Sequence, residues 1–243
     1  MKAVILAGGL GTRLQPFTNI IPKPLLPVGE SSVLEIQIQS LKKFGFTEIF
    51  IATNYRSEYV KAFLGNGDRY GIRLTFSDEP EPLGTCGPVR LLQSDLTEPF
   101  LLMNGDILTT TNFEQLFNFA LNINSALTVV TKEISTPFQF GKVIGDGTYI
   151  TGVQEKPDIK FEILAGIYIL KPEIFSIIPS GYYGIDMLIK DMLRLEMPVA
   201  KYLTQEYWLD IGRENDYKTA QSVYHSHFKD LNQPLVRPDV ILG

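Results

Sequence analysis

Apolar positions along the first half of the chain follow two alternating rhythms. Short unbroken apolar runs at Lys2 to Ala7, Glu48 to Thr53, Ile72 to Phe76, Phe100 to Met103 and Ala126 to Thr131 predict buried strands. Between them the spacing changes to that of a helix. Leu34, Ile38, Leu41 and Phe44 share one helical face, opened by a capping box of Ser32 and Glu35 and stopped at Gly45. Further helices are predicted at Tyr55 to Leu64, at Pro88 to Ser94 with proline in the first turn, and at Phe113 to Leu121. Strand, helix and strand in this order predict a parallel sheet covered on both faces, a Rossmann-like three-layer α/β sandwich.

The second half changes character. Val143-Ile144, Gly145-Asp146-Gly147 and Tyr149-Ile150 predict a β-hairpin with a glycine turn. A strand over Ile163 to Leu170, a helix over Ile185 to Leu195, a strand over Val199 to Leu203 and a polar helix over Glu214 to His227 follow. Residues 1–228 are read as one domain without a linker, and residues 229–243 as a tail. The alternation of small apolar residues and proline in "PLVRPDVILG" (234–243) also fits the first turn of a truncated hexapeptide β-helix.

Composition narrows the class. With 243 residues, 44% of them hydrophobic, the chain can build a large core. A net charge of -5 gives no reason to expect nucleic acid as a partner. A single cysteine, Cys86, excludes an internal disulfide framework and fits a reducing compartment. No apolar run is long enough for a signal peptide or a membrane span, so a soluble, cytoplasmic protein is expected.

Ligands of parallel sheets bind beyond the C-terminal ends of the strands. Two motifs fall at such ends: "LAGGLGTRL" (6–14) and Asn104-Gly105-Asp106. The first fits neither the Rossmann fingerprint, because Leu14 replaces its third glycine, nor a P-loop, which needs Gly-Lys-Ser/Thr. A glycine-rich turn exposes successive N–H groups as an anion cradle, and Arg13 adds a charged fork suited to phosphate oxygens. The other reading is a plain tight turn with a solvated arginine. Lys23, confined between Pro22 and Pro24, reads as a second charge aimed at phosphate.

With Pro16, Thr18 and Pro22-Lys23-Pro24-Leu25, the stretch Gly8 to Leu14 resembles the opening of the sugar-1-phosphate nucleotidyltransferases. The resemblance continues in order through "EPLGTCGP" (81–88), "NGD" (104–106), "FGKV" (140–143), "EKP" (155–157), "AGIYIL" (165–170) and "WLDIG" (208–212). It implies a glycosyltransferase-A-like fold with a small hairpin-containing sugar-binding part. It also implies transfer of a nucleotidyl group from a nucleoside triphosphate to a sugar 1-phosphate, releasing pyrophosphate.

Carried over residue by residue, the resemblance implies nucleotide contacts from Leu6, Ala7, Gly8, Gly9, Gly11, Thr12, Arg13, Glu81, Leu83, Gly84, Thr85, Asn104 and Gly105. Arg13, Lys23 and Asp106 are the implied catalytic groups, and Asp106 with Asp210 the implied ligands of Mg²⁺. Gly141, Glu155, Lys156, Gly166 and Asp186 are the implied sugar-phosphate side. Leu164 stands where many members carry asparagine. Cys86 and Trp208 are read as packing residues, and His225 and His227 as surface residues of a polar helix. The "EPLGT-x-GP" stretch most resembles guanylyltransferases acting on mannose 1-phosphate or a manno-heptose 1-phosphate, which makes GTP the expected nucleotide. A UTP-dependent enzyme and a catalytically silent regulatory subunit are the alternatives. A homo-oligomer is compatible with the sequence.

Overall fold

The computed structural model describes residues 1–232. The elements in chain order are β1 (Lys2–Leu6), β2 (Pro27–Val28), β3 (Ser31–Ser32), α1 (Val33–Lys43), β4 (Glu48–Thr53), α2 (Ser57–Leu64), β5 (Arg73–Asp78), α3 (Gly87–Leu91), β6 (Phe100–Asn104) and β7 (Ile107–Thr109). The chain continues through α4 (Phe113–Asn122), β8 (Leu127–Pro137), β9 (Lys142–Asp146), β10 (Tyr149–Gln154), β11 (Asp158–Leu170), α5 (Ile185–Arg194), β12 (Val199–Leu203), β13 (Trp208–Asp210) and α6 (Glu214–His227). The tail-or-β-helix question at residues 234–243 lies outside the described residues, whereas residues 229–232 form a 3-10 turn. No helix among the described residues is long and apolar enough to cross a membrane.

Seven strands form the central sheet in the order β12-β8-β11-β6-β1-β4-β5. Pairings of β1 with β4 and β6, of β4 with β5, and of β12 with β8 are parallel, while β11 runs antiparallel to both neighbours. The reason is the connection. No helix crosses over between β8 and β11; the β9–β10 hairpin joins them, and a crossover-free return gives an antiparallel pair.

Alternation along each strand feeds two cores. Ala3 and Ile5 of β1 pack with Leu34, Ile38 and Leu41 of α1, Val60 of α2 and Leu116 of α4 on one face. Val4 packs with Val89 of α3 and Leu188 and Met192 of α5 on the other. The predicted capping box is present: Ser32 Oγ accepts from the Glu35 N–H at 3.2 Å, and the Glu35 carboxylate accepts from the Ser32 N–H at 2.9 Å.

A third core joins the two ends of the chain. Leu14, Leu26, Val28 and Leu108 pack with Ile211 and with Ala220 and Tyr224 of α6. Gly29, at φ +59°, takes the Tyr224 ring so closely that a Cβ there would lie 2.1 Å from it. Gly29→Ala therefore meets both an aromatic ring and a left-handed backbone. It is expected to destabilise the protein by about 2 kcal/mol or more, read as a lower midpoint in urea unfolding.

Candidate active site

The C-terminal ends of β1, β4, β5 and β6 open into one cleft of about 500 Å³. The turn after β1 supplies Gly8, Gly9, Gly11, Thr12 and Arg13; Asn54 follows β4, Glu79 follows β5, and Asn104, Gly105 and Asp106 close β6. Lys23, Leu83, Gly84 and Gly212 also line the wall. The volume suits a small-molecule ligand.

The glycines have different physical reasons. Gly11 sits at φ +63°, and a Cβ there would lie 2.8 Å from Thr18 Cγ2, so the turn itself needs glycine. Thr18 Oγ1 donates to the Gly11 carbonyl at 2.9 Å and fixes it. Gly105 packs under β1, where a Cβ would meet the Leu6 carbonyl at 2.6 Å. Gly9 is different: it lies outside the left-handed region, and a Cβ would have nothing within 4 Å. The protein has room for a side chain there, so what glycine preserves at Gly9 is open space against the cleft. Arg56 braces the same loop from outside, with its guanidinium donating to the Ile20 carbonyl at 2.6 Å.

Asp106 and Asp210 are far apart in sequence and adjacent in space. The cause is the short antiparallel pair β7–β13, which sets Asp210 opposite Ile107, while the Ile211 N–H donates to the Asp106 carbonyl at 3.0 Å. Buried Gln37 of α1 donates to the carbonyls of Asn104 and Ile107 at 2.9 and 2.8 Å and holds the Asn104-Gly105-Asp106 turn from below. Lys23 Nζ donates to Asp106 Oδ2. Arg13 lies on the other side: a Cβ on Gly212 would be 3.4 Å from both Arg13 Nη1 and Asp210 Oδ1.

The second oxygens of the two carboxylates are the informative atoms. Asp106 Oδ1 and Asp210 Oδ1 are buried, with no hydrogen-bond partner among the described residues. Burial raises the Asp210 carboxyl above its ordinary range, and the charge of Asp106 raises it further; Lys23 and Arg13 oppose the shift. Two hard, unpartnered carboxylate oxygens fit a small divalent cation such as Mg²⁺, whose remaining positions water and phosphate would fill. No cluster of three or more His, Cys, Asp or Glu side chains suited to a metal occurs among the described residues.

The expected sugar-phosphate residues fall into separate places. Gly166, at φ +69°, lies where β11 bulges between Leu164 and Tyr168. A Cβ there would meet Asn104 Nδ2 at 2.7 Å, so this bulge abuts the cleft wall. Trp208, expected in the core, is half-buried and donates from Nε1 to the Ala165 carbonyl at 2.8 Å, pinning the bulge. Gly141 and Glu155 are neighbours on the hairpin, where a Gly141 Cβ would stand 3.3 Å from Glu155 Oε2. Lys156 follows in a left-handed conformation, φ +43°. Glu155 and Lys156 are exposed and stand outside the 500 Å³ cleft.

The structure places two of the expected residues, Asp186 and Glu81, away from the cleft wall. Asp186 is exposed in the first turn of α5 and pairs with Lys190 at 3.1 Å, off the cleft wall; its (i, i+4) lysine is the nearer partner. Glu81 is exposed and off the wall as well, while Glu79 occupies it. Glu79 accepts from the Leu83 N–H at 3.1 Å through Oε2, its Oε1 lies 3.0 Å from where a Gly8 Cβ would be, and burial raises its carboxyl above the ordinary range. Ala7 and Thr85 adjoin the wall without lining it. The signal for Glu79 and Asn54 was in the sequence: they follow β5 and β4 as Asp106 follows β6. Ending β5 at Phe76, two residues short of Asp78, hid Glu79. Cys86 is buried in the α3–α5 core as expected.

A carboxyl whose pKa is raised in the folded state loses stability for the protein as pH rises from the unfolded value through the folded one. In the metal-free protein, Asp210→Asn is therefore expected to raise the melting temperature at neutral pH. That gain should shrink as pH falls into the ordinary carboxylate range, where Asp210 is protonated anyway. Melting curves of both proteins in a chelator across this range test it, and a gain that grows on acidification contradicts the assignment.

Comparison with known proteins agrees with this geometry. The family model described as nucleotidyl transferase matches residues 2–227. The chain is 34% identical over 234 residues to a mannose-1-phosphate guanyltransferase of Kluyveromyces lactis, covering 92% of this chain and 64% of that protein. It is 33% identical over 247 residues to the mannose-1-phosphate guanyltransferase of Yarrowia lipolytica, covering 98% of this chain and 68% of the other. This chain thus spans a little under two thirds of the first of these relatives. Among solved structures, a Bacillus anthracis protein described as a candidate glucose-1-phosphate thymidylyltransferase superposes with a TM-score of 0.76 at 25% identity, covering 92% of this chain and 94% of that one. A glycine-loop cleft at the ends of parallel strands, with Asp106 in its wall and Asp210 apposed to Asp106 behind it, and a family match over nearly its whole length place this chain in the nucleotidyl transferase family.

Proposed function

We propose that this protein joins a nucleoside triphosphate to a sugar 1-phosphate, releasing pyrophosphate, with GTP as the nucleotide and mannose 1-phosphate or a manno-heptose 1-phosphate as the acceptor. The observation that carries the reading is the pair of unpartnered carboxylate oxygens on Asp106 and Asp210, set between Lys23 and Arg13 at the end of the glycine cleft. Cations and an open Gly9 backbone suit a triphosphate, and apposed carboxylates without a cation do not suit one. Residues 1–228 are the proposed catalytic unit.

In this reading an oxygen of the sugar phosphate attacks the α-phosphorus in line. The bond from that phosphorus to the bridging oxygen breaks, and its electron pair leaves with pyrophosphate. Such a transfer needs positioning and charge neutralisation more than covalent help. Gly8, Gly9 and Gly11 present backbone to the triphosphate, and Thr12 and Arg13 hold its departing end. Lys23, freed in part from Asp106, turns toward the α-phosphate. Glu155 and Lys156 bring sugar hydroxyls and the sugar phosphate from the hairpin side. Mg²⁺, held by Asp106 and Asp210, would supply charge neutralisation on the phosphate oxygens.

Glu79 favours guanine. An ionised carboxylate only accepts hydrogen bonds, Glu79 is half-buried at the cleft wall, and guanine offers two adjacent donors on its Watson–Crick edge. Uracil offers one donor between two carbonyl oxygens, which a carboxylate repels. The guanylyltransferase names of the relatives support the same base and the mannose-type sugar.

Pyrophosphate release should be measured with each nucleoside triphosphate crossed against mannose, manno-heptose, glucose and N-acetylglucosamine 1-phosphates. GTP with a manno-configured sugar is the expected productive pair. A UTP pair would overturn the base assignment, and silence across all pairs with retained nucleotide binding would favour a regulatory subunit. In the productive pair, Asp106→Asn is expected to lower kcat by about two to three orders of magnitude without changing the fold seen by circular dichroism. Glu79→Gln adds a donor and should narrow the GTP-over-UTP preference in kcat/KM by roughly tenfold or more; an unchanged ratio would remove Glu79 from base reading.

A further inference from the structure

Asn54 lines the cleft but takes no part in the proposed base, phosphate or cation contacts. It is the first residue past β4, half-buried, and stands where the glycine loop and the end of β5 converge. A Cβ on Gly8 would lie 3.2 Å from Asn54 Cβ and 3.0 Å from Glu79 Oε1, so these three residues meet around one point of the wall. Strand pairing fixes the meeting. The Ala7 N–H, just past β1, donates to the Ala52 carbonyl at 2.7 Å, and the Glu79 N–H, just past β5, donates to the Thr53 carbonyl at 2.8 Å. The three parallel strands therefore end at one level, where such sheets take their ligands.

The two ends of the Asn54 side chain have different standing. Nδ2 donates to the Glu79 carbonyl at 2.9 Å. A carbonyl only accepts, so the amide must face it with its nitrogen, and this contact decides which end is which. Oδ1 accepts from no donor among the described residues and is not sealed inside the protein. It is a fixed acceptor, set beside the glycine loop and waiting for a donor. A hydroxyl is a donor of the right kind, whereas a phosphate oxygen at neutral pH is another acceptor and is repelled.

A nucleotide is built in a fixed order of base, ribose and phosphate. With the base against Glu79 and the phosphates on the glycine loop, the residue between the two meets the ribose. We propose that Asn54 Oδ1 accepts a hydrogen bond from the ribose 2′,3′-diol and thereby makes this protein select ribonucleoside over deoxyribonucleoside triphosphates. The proposal rests on the nucleotide reading of the cleft, but not on which base is bound. The physical cause of the selection is the asymmetry of hydrogen bonding. A deoxyribose puts C–H against Oδ1, which then loses water without gaining a partner. Discrimination of this kind comes from a polar group left unpaired, not from a steric clash.

Isothermal titration calorimetry with GTP, dGTP and 3′-deoxyGTP in the presence of Mg²⁺ tests the proposal. The natural sequence is expected to bind GTP about tenfold tighter than one or both deoxy analogues. In Asn54→Ala that ratio is expected to fall to near one, because the side chain and the hydroxyl are the two partners of one bond and their removals do not add. An Asn54 that merely braces Glu79 through Nδ2 would weaken all three nucleotides by the same factor and leave the ratio intact, which overturns the proposal. Equal binding of the three nucleotides by the natural sequence overturns it without any variant. If Asn54→Ala does not fold, Asn54→Ser, too short to reach the diol, is read in the same way. Should the protein bind UTP in place of GTP, the guanine assignment fails, and UTP, dUTP and 3′-deoxyUTP decide the ribose question by the same ratios. Binding of no nucleoside triphosphate at all overturns the functional reading itself, and this proposal with it.

Discussion

Two carboxylates held side by side in a half-buried place repel each other, and most of the local architecture answers to that repulsion. The β7–β13 ladder forces Asp106 and Asp210 together, leaving one oxygen of each without a partner. Lys23 meets Asp106 from one side, and Arg13 stands near Asp210 on the other. Removing a charge from such a group is unlike removing a surface ion pair, because the remaining members lose their compensation in a poorly solvated place. The same imbalance that costs stability in the folded chain would, in the proposed reaction, favour binding of a cation and a polyphosphate.

The two ends of the chain share this site. Arg13 and Lys23 come from the first twenty-five residues; Asp210 ends β13, the last strand before α6, and Gly212 lies in the link that follows it. What fastens them is apolar. Leu14 and Leu26 of the N-terminal loop pack with Ile211 and with Tyr224 of α6, and the Tyr224 ring fills the space over Gly29. Packing in this third core therefore sets the distances between charged groups, and α6 acts on the chemistry without reaching the cleft. Similarly, Gln37 holds the Asn104-Gly105-Asp106 turn through two backbone carbonyls from inside the sheet's helical layer. It carries no charge and looks in sequence like any polar position on a helix.

The proposed base selectivity rests on smaller displacements. Glu79 and Glu81 are two residues apart, on either side of one proline, yet one lines the cleft and the other faces water. The difference follows from where β5 ends. Its pairing with β4 continues through Asp78, opposite Thr53, and the Glu79 N–H then donates to the Thr53 carbonyl at 2.8 Å. That last backbone bond fixes the residue at the strand's mouth. The bulges in β10 and β11 act in the same way, re-aiming side chains by the insertion of one or two residues.

Most of the fold was legible in the chain itself. Hydrophobic period and capping chemistry are local, so the strands at Glu48 to Thr53 and Val199 to Leu203 and the helix at Glu214 to His227 have the boundaries their patterns predict. The glycine loop, Lys23 and Asp106 were legible as residues of one cleft because glycine turns and charges at strand ends are displayed directly in sequence. Tertiary structure alone decided the rest. It set Asp210 against Asp106 through a three-residue ladder, chose Glu79 over Glu81, and paired Asp186 with Lys190 away from the cleft. It turned β11 antiparallel because a hairpin, not a helix, leads into it. Residue type and spacing record what a segment prefers locally. Which side chains meet is fixed by register and packing between distant segments, and those depend on the whole chain folding at once.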